Sequence, residues 1–142
     1  MAAQPMTQHN LLAQEWTTLQ NHHEGYERSA LLIKLVAVAL CAMAWVVDLR
    51  PWLIGALVGM LWLQEAILKT WQARLADRLV LVEAAFQGTV PGNIAPFQLH
   101  SQWQAQRPGL WGLLADYGQS ALRPTVAFPY AVLLVLVVAA AY

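Results

Sequence analysis

The sequence has few charged residues and almost no cysteine. Only 11% of its 142 residues are Asp, Glu, Lys or Arg, compared with about a quarter in an ordinary soluble domain. Lys and Arg number 8, as do Asp and Glu, and this net charge of zero argues against a nucleic-acid-binding arm. Cys41 is the only cysteine, which excludes disulfide scaffolds and multi-cysteine metal sites.

Motifs that carry catalysis or hold a cofactor are also missing. The sequence has no phosphate-binding loop, nucleotide fingerprint, haem-attachment motif or Ser/His/Asp set. We therefore expect a protein that is not an enzyme and that uses no cofactor. Apolar residues, in contrast, make up 58% of the chain, and this composition indicates that the protein is surrounded by lipid.

Three apolar runs have lengths that suit a bilayer. Residues 29–49 form the first, residues 50–69 form the second after a tight outer turn, and residues 124–142 form the third. A helix rises about 1.5 Å per residue, so each run covers most or all of the ~30 Å hydrocarbon core. The sequence therefore predicts an all-α integral membrane protein with three transmembrane helices.

Helical periodicity continues beyond the first two spans. Apolar side chains recur by three and four in residues 1–28, before the first span, and in residues 70–87, after the second. The repeating positions are Leu12, Trp16, Leu19, His23, Tyr26, Ala30 and Ile33, then Leu68, Trp71, Leu75, Leu79, Val82 and Phe86. This pattern predicts a long antiparallel hairpin that extends into the cytoplasm as a coiled coil. Residues 88–123 should form a cytoplasmic loop and short interfacial amphipathic helices.

The basic residues predict the orientation of the spans. Every Lys and Arg except Arg50 falls at or beyond one common side of the predicted bilayer. By the positive-inside rule that side is cytoplasmic. We therefore expect a bacterial inner-membrane protein with a cytoplasmic N-terminus and with Tyr142 in the periplasm.

Several tryptophans occupy positions that suit the membrane–water interface, where the amphipathic indole ring is favoured. Trp45 and Trp52 flank the outer turn, and Trp71 follows the second span. Trp103 and Trp111 lie on the predicted interfacial helices.

The hairpin also predicts pairs of charged residues. Counting outward from the outer turn places Lys34 level with Glu65 and Glu27 level with Arg74. An unpaired charge close to the hydrocarbon region is costly, so we predict an ion pair between Lys34 and Glu65.

Two further patterns have both a structural and a functional interpretation. His22, His23 and Glu27 are weak candidates for metal ligands, but a binding site needs further donors. Histidines that are solvated, or that occupy a position of the coiled-coil repeat, are far commoner than metal ligands. Gly55 and Gly59 have the G-x-x-x-G spacing that lets two helices approach closely, either within the hairpin or between protomers. We favour packing within the hairpin.

Together these features predict a non-enzymatic assembly or accessory subunit. The extended coiled coil and the interfacial helices present apolar surface that suits a homo-oligomer or docking on a larger membrane-protein complex. The alternative is a homo-oligomeric channel lined by the transmembrane hairpins. Such a channel would require a polar ring around its axis, for which the sequence offers only Lys34 and Glu65.

Overall fold

The computed structural model describes residues 7–89, 94–106 and 109–141, and this part of the chain is helical. It contains no strand and five helices: α1 (Gln8–Val46), α2 (Pro51–Phe86), α3 (Leu99–Gln106), α4 (Leu110–Ala121) and α5 (Pro124–Ala141). The predicted all-α class is confirmed for these residues. The centre of the predicted loop at 90–93, and Tyr142 with its predicted outer position, lie outside the described residues.

Helices α1 and α2 are each long and apolar enough to cross a membrane. They contain 39 and 36 residues and are separated by a short turn. In that turn Asp48 has a φ of 52°, a left-handed conformation that Asp and Asn adopt more readily than most residues. Pro51 then begins α2, where its missing N–H would have had no partner within the helix.

Helices α4 and α5 are separated by a sharp bend of 72°. Pro124 disfavours helical geometry at Arg123, and it supplies the first residue of α5. The two helices qualify as a third candidate span only when they are taken together as one bent crossing.

Contacts divide the chain into two compact units, each of which contains part of α1 and part of α2. Unit 1 comprises Met1–Gly25 and Trp71–Arg107, and unit 2 comprises Tyr26–Thr70 and Pro108–Tyr142. Unit 1 therefore includes α3, and unit 2 includes α4 and α5.

The core of unit 2 joins small side chains of α1 to larger ones of α2 and α5. Its buried members are Ala37, Cys41, Ala44, Ile54, Val58, Tyr130 and Val137. The residues from α1 follow a helical spacing of four and three, so they lie on one face of that helix. Because these side chains are small, the larger residues of the other two helices can pack closely against this face.

The two glycines of α2 lie beside this core contact. A Cβ added at Gly59 would meet no atom within 4 Å, and one added at Gly55 would first meet Leu134 of α5, at 4.0 Å. The buried positions belong to their neighbours Ile54 and Val58. The close packing predicted for Gly55 and Gly59 against α1 is therefore made by Ile54 and Val58, because those side chains point into the core.

Unit 1 has an apolar core that is interrupted by buried polar residues. Its buried apolar side chains are Leu12, Leu19, Leu75, Leu79 and Val82, all from the predicted repeat. Two other members of that repeat, Trp71 and Phe86, are exposed. Glu15, Gln72 and Arg78 are buried instead, and the periodic pattern did not predict their burial.

Candidate functional site

The most deeply buried charged group in unit 2 is the carboxylate of Glu65. Glu65 belongs to α2 and is fully buried, and its Oε1 lies 3.1 Å from Nζ of Lys34 on α1. These are the two residues that the sequence pairs. The Lys34 side chain keeps 25% of its surface exposed, so the ion pair is buried on the glutamate side and partly open on the lysine side.

Tyr130 of α5 completes the environment of this carboxylate. Its hydroxyl donates a 2.7 Å hydrogen bond to Oε2 of Glu65, and its side chain is fully buried. The ring of Trp62 stacks on the Tyr130 ring with a centroid separation of 6.2 Å and an interplanar angle of 9°. One buried acid therefore links three helices, with a cation from α1 and a hydroxyl from α5.

A proline in α5 leaves free the backbone carbonyl that accepts a second bond from Lys34. Pro129 lies inside the helix and has no N–H, so the carbonyl four residues earlier, that of Thr125, loses its usual partner in the helix. Lys34 Nζ donates to this carbonyl oxygen at 2.8 Å. The Lys34 ammonium group thus takes the place of the N–H that Pro129 lacks. The Thr125 carbonyl gains a donor, and Lys34 gains a second acceptor.

Two further polar contacts connect α2 to the end of α4. Trp62 Nε1 donates to the carbonyl of Ala121 at 3.1 Å. The hydroxyls of Thr70 and Ser120, both buried, lie 2.9 Å apart, and Thr70 also donates to the carbonyl of Ala66 in its own helix. Together with the Lys34–Glu65 pair and the hydrogen bond from Tyr130, these contacts hold α1, α2, α4 and α5 together.

Unit 1 contains a second buried ion pair, which sequence reasoning missed. Arg78 Nε and Nη2 donate to the two carboxylate oxygens of Glu15 at 2.9 and 3.1 Å, a bidentate arrangement. The Phe97 N–H also donates to Glu15, and Arg78 donates further to Gln102 and to the Ala95 carbonyl. Neither the charges nor their spacing distinguishes Glu15 and Arg78 from solvated residues of a long polar helix.

Two of the three residues considered as metal ligands, His23 and Glu27, have other contacts. His23 Nε2 lies 3.2 Å from the side-chain amide of Gln72, and Glu27 receives a 3.0 Å hydrogen bond from Lys69. His22 is exposed. Within the described residues no group of three His, Cys, Asp or Glu side chains is placed to hold a metal ion.

Glu27 has an ion-pair partner that counting from the outer turn did not give it. The sequence placed Glu27 level with Arg74, but its ion-pair partner, Lys69, lies five residues earlier on α2. Arg74 instead contacts two aromatic rings of unit 1. Equal counting from the turn ignored the reach and the direction of long side chains.

The tryptophans assigned to an interface fall into two groups. Trp45, Trp52, Trp71 and Trp111 are exposed. Trp103 is half-buried, and its ring lies 6.0 Å from that of Trp71, with the Arg74 guanidinium over both. Its position is therefore explained by contacts within unit 1, which an interpretation based on spacing alone did not anticipate.

Comparisons of the chain with protein family models, curated proteins and solved structures find no match. The contacts and the surface of this chain are therefore the basis on which its function is inferred.

Proposed function

We propose that this protein is a three-span accessory subunit of a bacterial inner membrane and that it acts by self-association. The observation that carries the proposal is that the two buried ion pairs, Lys34–Glu65 and Glu15–Arg78, form within one protomer, whereas large apolar side chains remain exposed. Apolar surface of this extent needs either lipid or another protein surface to cover it.

The polar contacts of unit 2 support the three-span arrangement. Lys34, Glu65 and Tyr130 come from α1, α2 and α5 and meet at one point. If all three helices cross the bilayer, this point lies near the cytoplasmic boundary, where the sequence places the basic residues. Lys34 can then reach polar headgroups with its exposed part while its other contacts remain buried.

Cysteine labelling tests this topology. In a Cys41→Ala background, Leu49→Cys in the outer turn should react with a membrane-impermeant maleimide in right-side-out vesicles. Thr17→Cys in α1 should react only in inverted or permeabilised vesicles, because the proposed topology places it in the cytoplasm. Both native side chains are exposed, so access to reagent is governed by the membrane. The reverse pattern, or labelling of both positions from one side, would contradict the proposal.

Self-association is supported by apolar residues of unit 1 that the proposed topology places in water. Val80 is 65% exposed and Phe97 is 58% exposed, and Phe86 is also exposed. A second copy is a suitable cover because the chain has no net charge and identical surfaces would meet without overall repulsion.

Val80→Gln should reduce the oligomeric fraction several-fold without unfolding α2, because it removes an exposed apolar contact and keeps a good helix former. Light scattering of detergent-solubilised protein, corrected for bound detergent, measures the mass of the assembly. Gln87→Ala is the matched control, since Gln87 is exposed, belongs to the same unit and directly follows α2. A wild-type protein that is monomeric at every concentration would refute self-association.

The channel hypothesis receives less support than the accessory subunit. Glu65 has no exposed surface and is bonded to Tyr130 within its own protomer, so it is not free to line a shared axis. Conductance of purified oligomers in planar bilayers would reverse this preference.

A further inference from the structure

Unit 1 contains a cavity of about 320 Å³ between α2 and α3, and we propose that it binds a small organic anion with one carboxylate and an apolar body. A volume of this size is at the lower end of the range for small-molecule sites. The polar wall includes Arg74, Asp77 and Arg78, and the apolar wall includes Leu81, Leu99 and Trp103. Every lining residue belongs to unit 1, so the inference does not depend on the proposed membrane topology.

The cation that would hold the carboxylate is Arg74. Its guanidinium carbon lies 4.8 Å from the ring centroids of both Trp71 and Trp103, which fixes the group by two cation–π contacts. Its Nη2 is buried and has no hydrogen-bond acceptor among the described residues. A buried charged donor without an acceptor is costly, and because Arg74 lines the cavity, an anion bound there would place a counter-charge close to it.

The second arginine of the cavity does not add free positive charge. Arg78 is neutralised by Glu15 and donates to Gln102 and to the Ala95 carbonyl. Asp77 places a negative charge on the same cavity wall. One available cation with one acid on the same wall favours a monoanion and disfavours a dianion such as hydrogen phosphate, because the second negative charge would meet Asp77 without a partner.

The apolar wall determines the rest of the ligand. Leu81, Leu99 and the Trp103 ring offer surface that water solvates poorly, so an aliphatic chain attached to the carboxylate would bury apolar area against them. Hexanoate combines these two features and is a suitable probe. The matched probes are 1-hexanol, which has no charge, and inorganic phosphate, which has no apolar part.

The test is a titration of the full-length protein with each probe, followed by saturation-transfer NMR. We expect saturable binding of hexanoate and at least tenfold weaker binding of 1-hexanol and phosphate. Arg74→Gln should weaken hexanoate binding about tenfold to a hundredfold, the loss expected when a hydrogen bond to a charged group is removed. Arg50→Gln is the control, because Arg50 is an exposed arginine of unit 2.

Asp77→Asn is a second test of the binding site, and it remains usable if Arg74→Gln fails to fold. Asp77 is exposed, and its replacement removes a negative charge from the cavity wall, so hexanoate should bind a few-fold more tightly. A gain of affinity cannot result from unfolding. Unchanged or weaker binding in Asp77→Asn, equal binding of hexanol and hexanoate, or a preference for phosphate would each overturn the proposal.

Discussion

Glu65→Leu should lower the free energy of unfolding by about 3 kcal/mol, the lower end of the range for breaking a buried ion pair. The substitution leaves Lys34 and the Tyr130 hydroxyl without their shared acceptor. The loss of stability is at the lower end because Lys34 is partly exposed, so its ammonium group keeps some contact with solvent. Unfolding in mixed micelles, followed by helical circular dichroism, measures the change.

Two further variants show whether burial is the cause. Glu27→Gln breaks the pair with Lys69, in which the Glu27 and Lys69 side chains are 57% and 12% exposed, and should cost about 1 kcal/mol because the acid is solvated. A Lys34→Met/Glu65→Leu double variant removes both charges and should recover much of the stability lost in the single variant. Equal losses for Glu65→Leu and Glu27→Gln would contradict this account.

Glu15→Ala should destabilise unit 1 by about 3–5 kcal/mol. Glu15 and Arg78 have side chains that are 5% and 2% exposed, so removal of the acid leaves a buried guanidinium without its counter-ion. Glu15 also accepts the Phe97 N–H, and its loss should therefore loosen the segment that leads into α3. Hydrogen–deuterium exchange should increase in peptides covering residues 94–106, with a smaller change in α5.

Glu24→Ala is the matched control for Glu15→Ala. Glu24 lies on the same helix, is exposed, and accepts only a 3.3 Å hydrogen bond from Gln20 among the contacts of the described residues. It should change the exchange of residues 94–106 very little. If both variants accelerate exchange equally, the effect arises from α1 as a whole and the buried pair is not its cause.

The helices were predictable because their signals are long and repeated. Apolar runs bounded by Pro51 and Pro124 indicated where α2 and α5 begin, and both helices start at these residues. Lys34 and Glu65 could be paired because few polar residues interrupt the apolar runs, so each charge has few possible partners. The partner of a charged residue could thus be predicted from the sequence wherever the surrounding residues are apolar.

The contacts of unit 1 were less predictable because its charged residues lie in polar stretches of the sequence, where none of them is unusual. Glu15 and Arg78 are separated by 63 positions, and only the packing of α3 and the preceding segment makes them buried. The same holds for Trp103, whose spacing suits an interface but whose ring lies over Arg74. Helical periodicity identifies the apolar face of a helix. The contacts of Glu15, Arg78 and Trp103 depend instead on α3 and the segment before it, which pack against the first two helices.

The proline of α5 has a consequence for the order in which the chain can complete its fold. During synthesis Lys34 and Glu65 emerge before Thr125, Pro129 and Tyr130, so the first two helices exist for a time without two of the polar contacts seen in unit 2. Arrival of α5 supplies a carbonyl to the lysine and a hydroxyl to the glutamate in one step. A nascent chain that stops before α5 should therefore be degraded faster than one that includes α5.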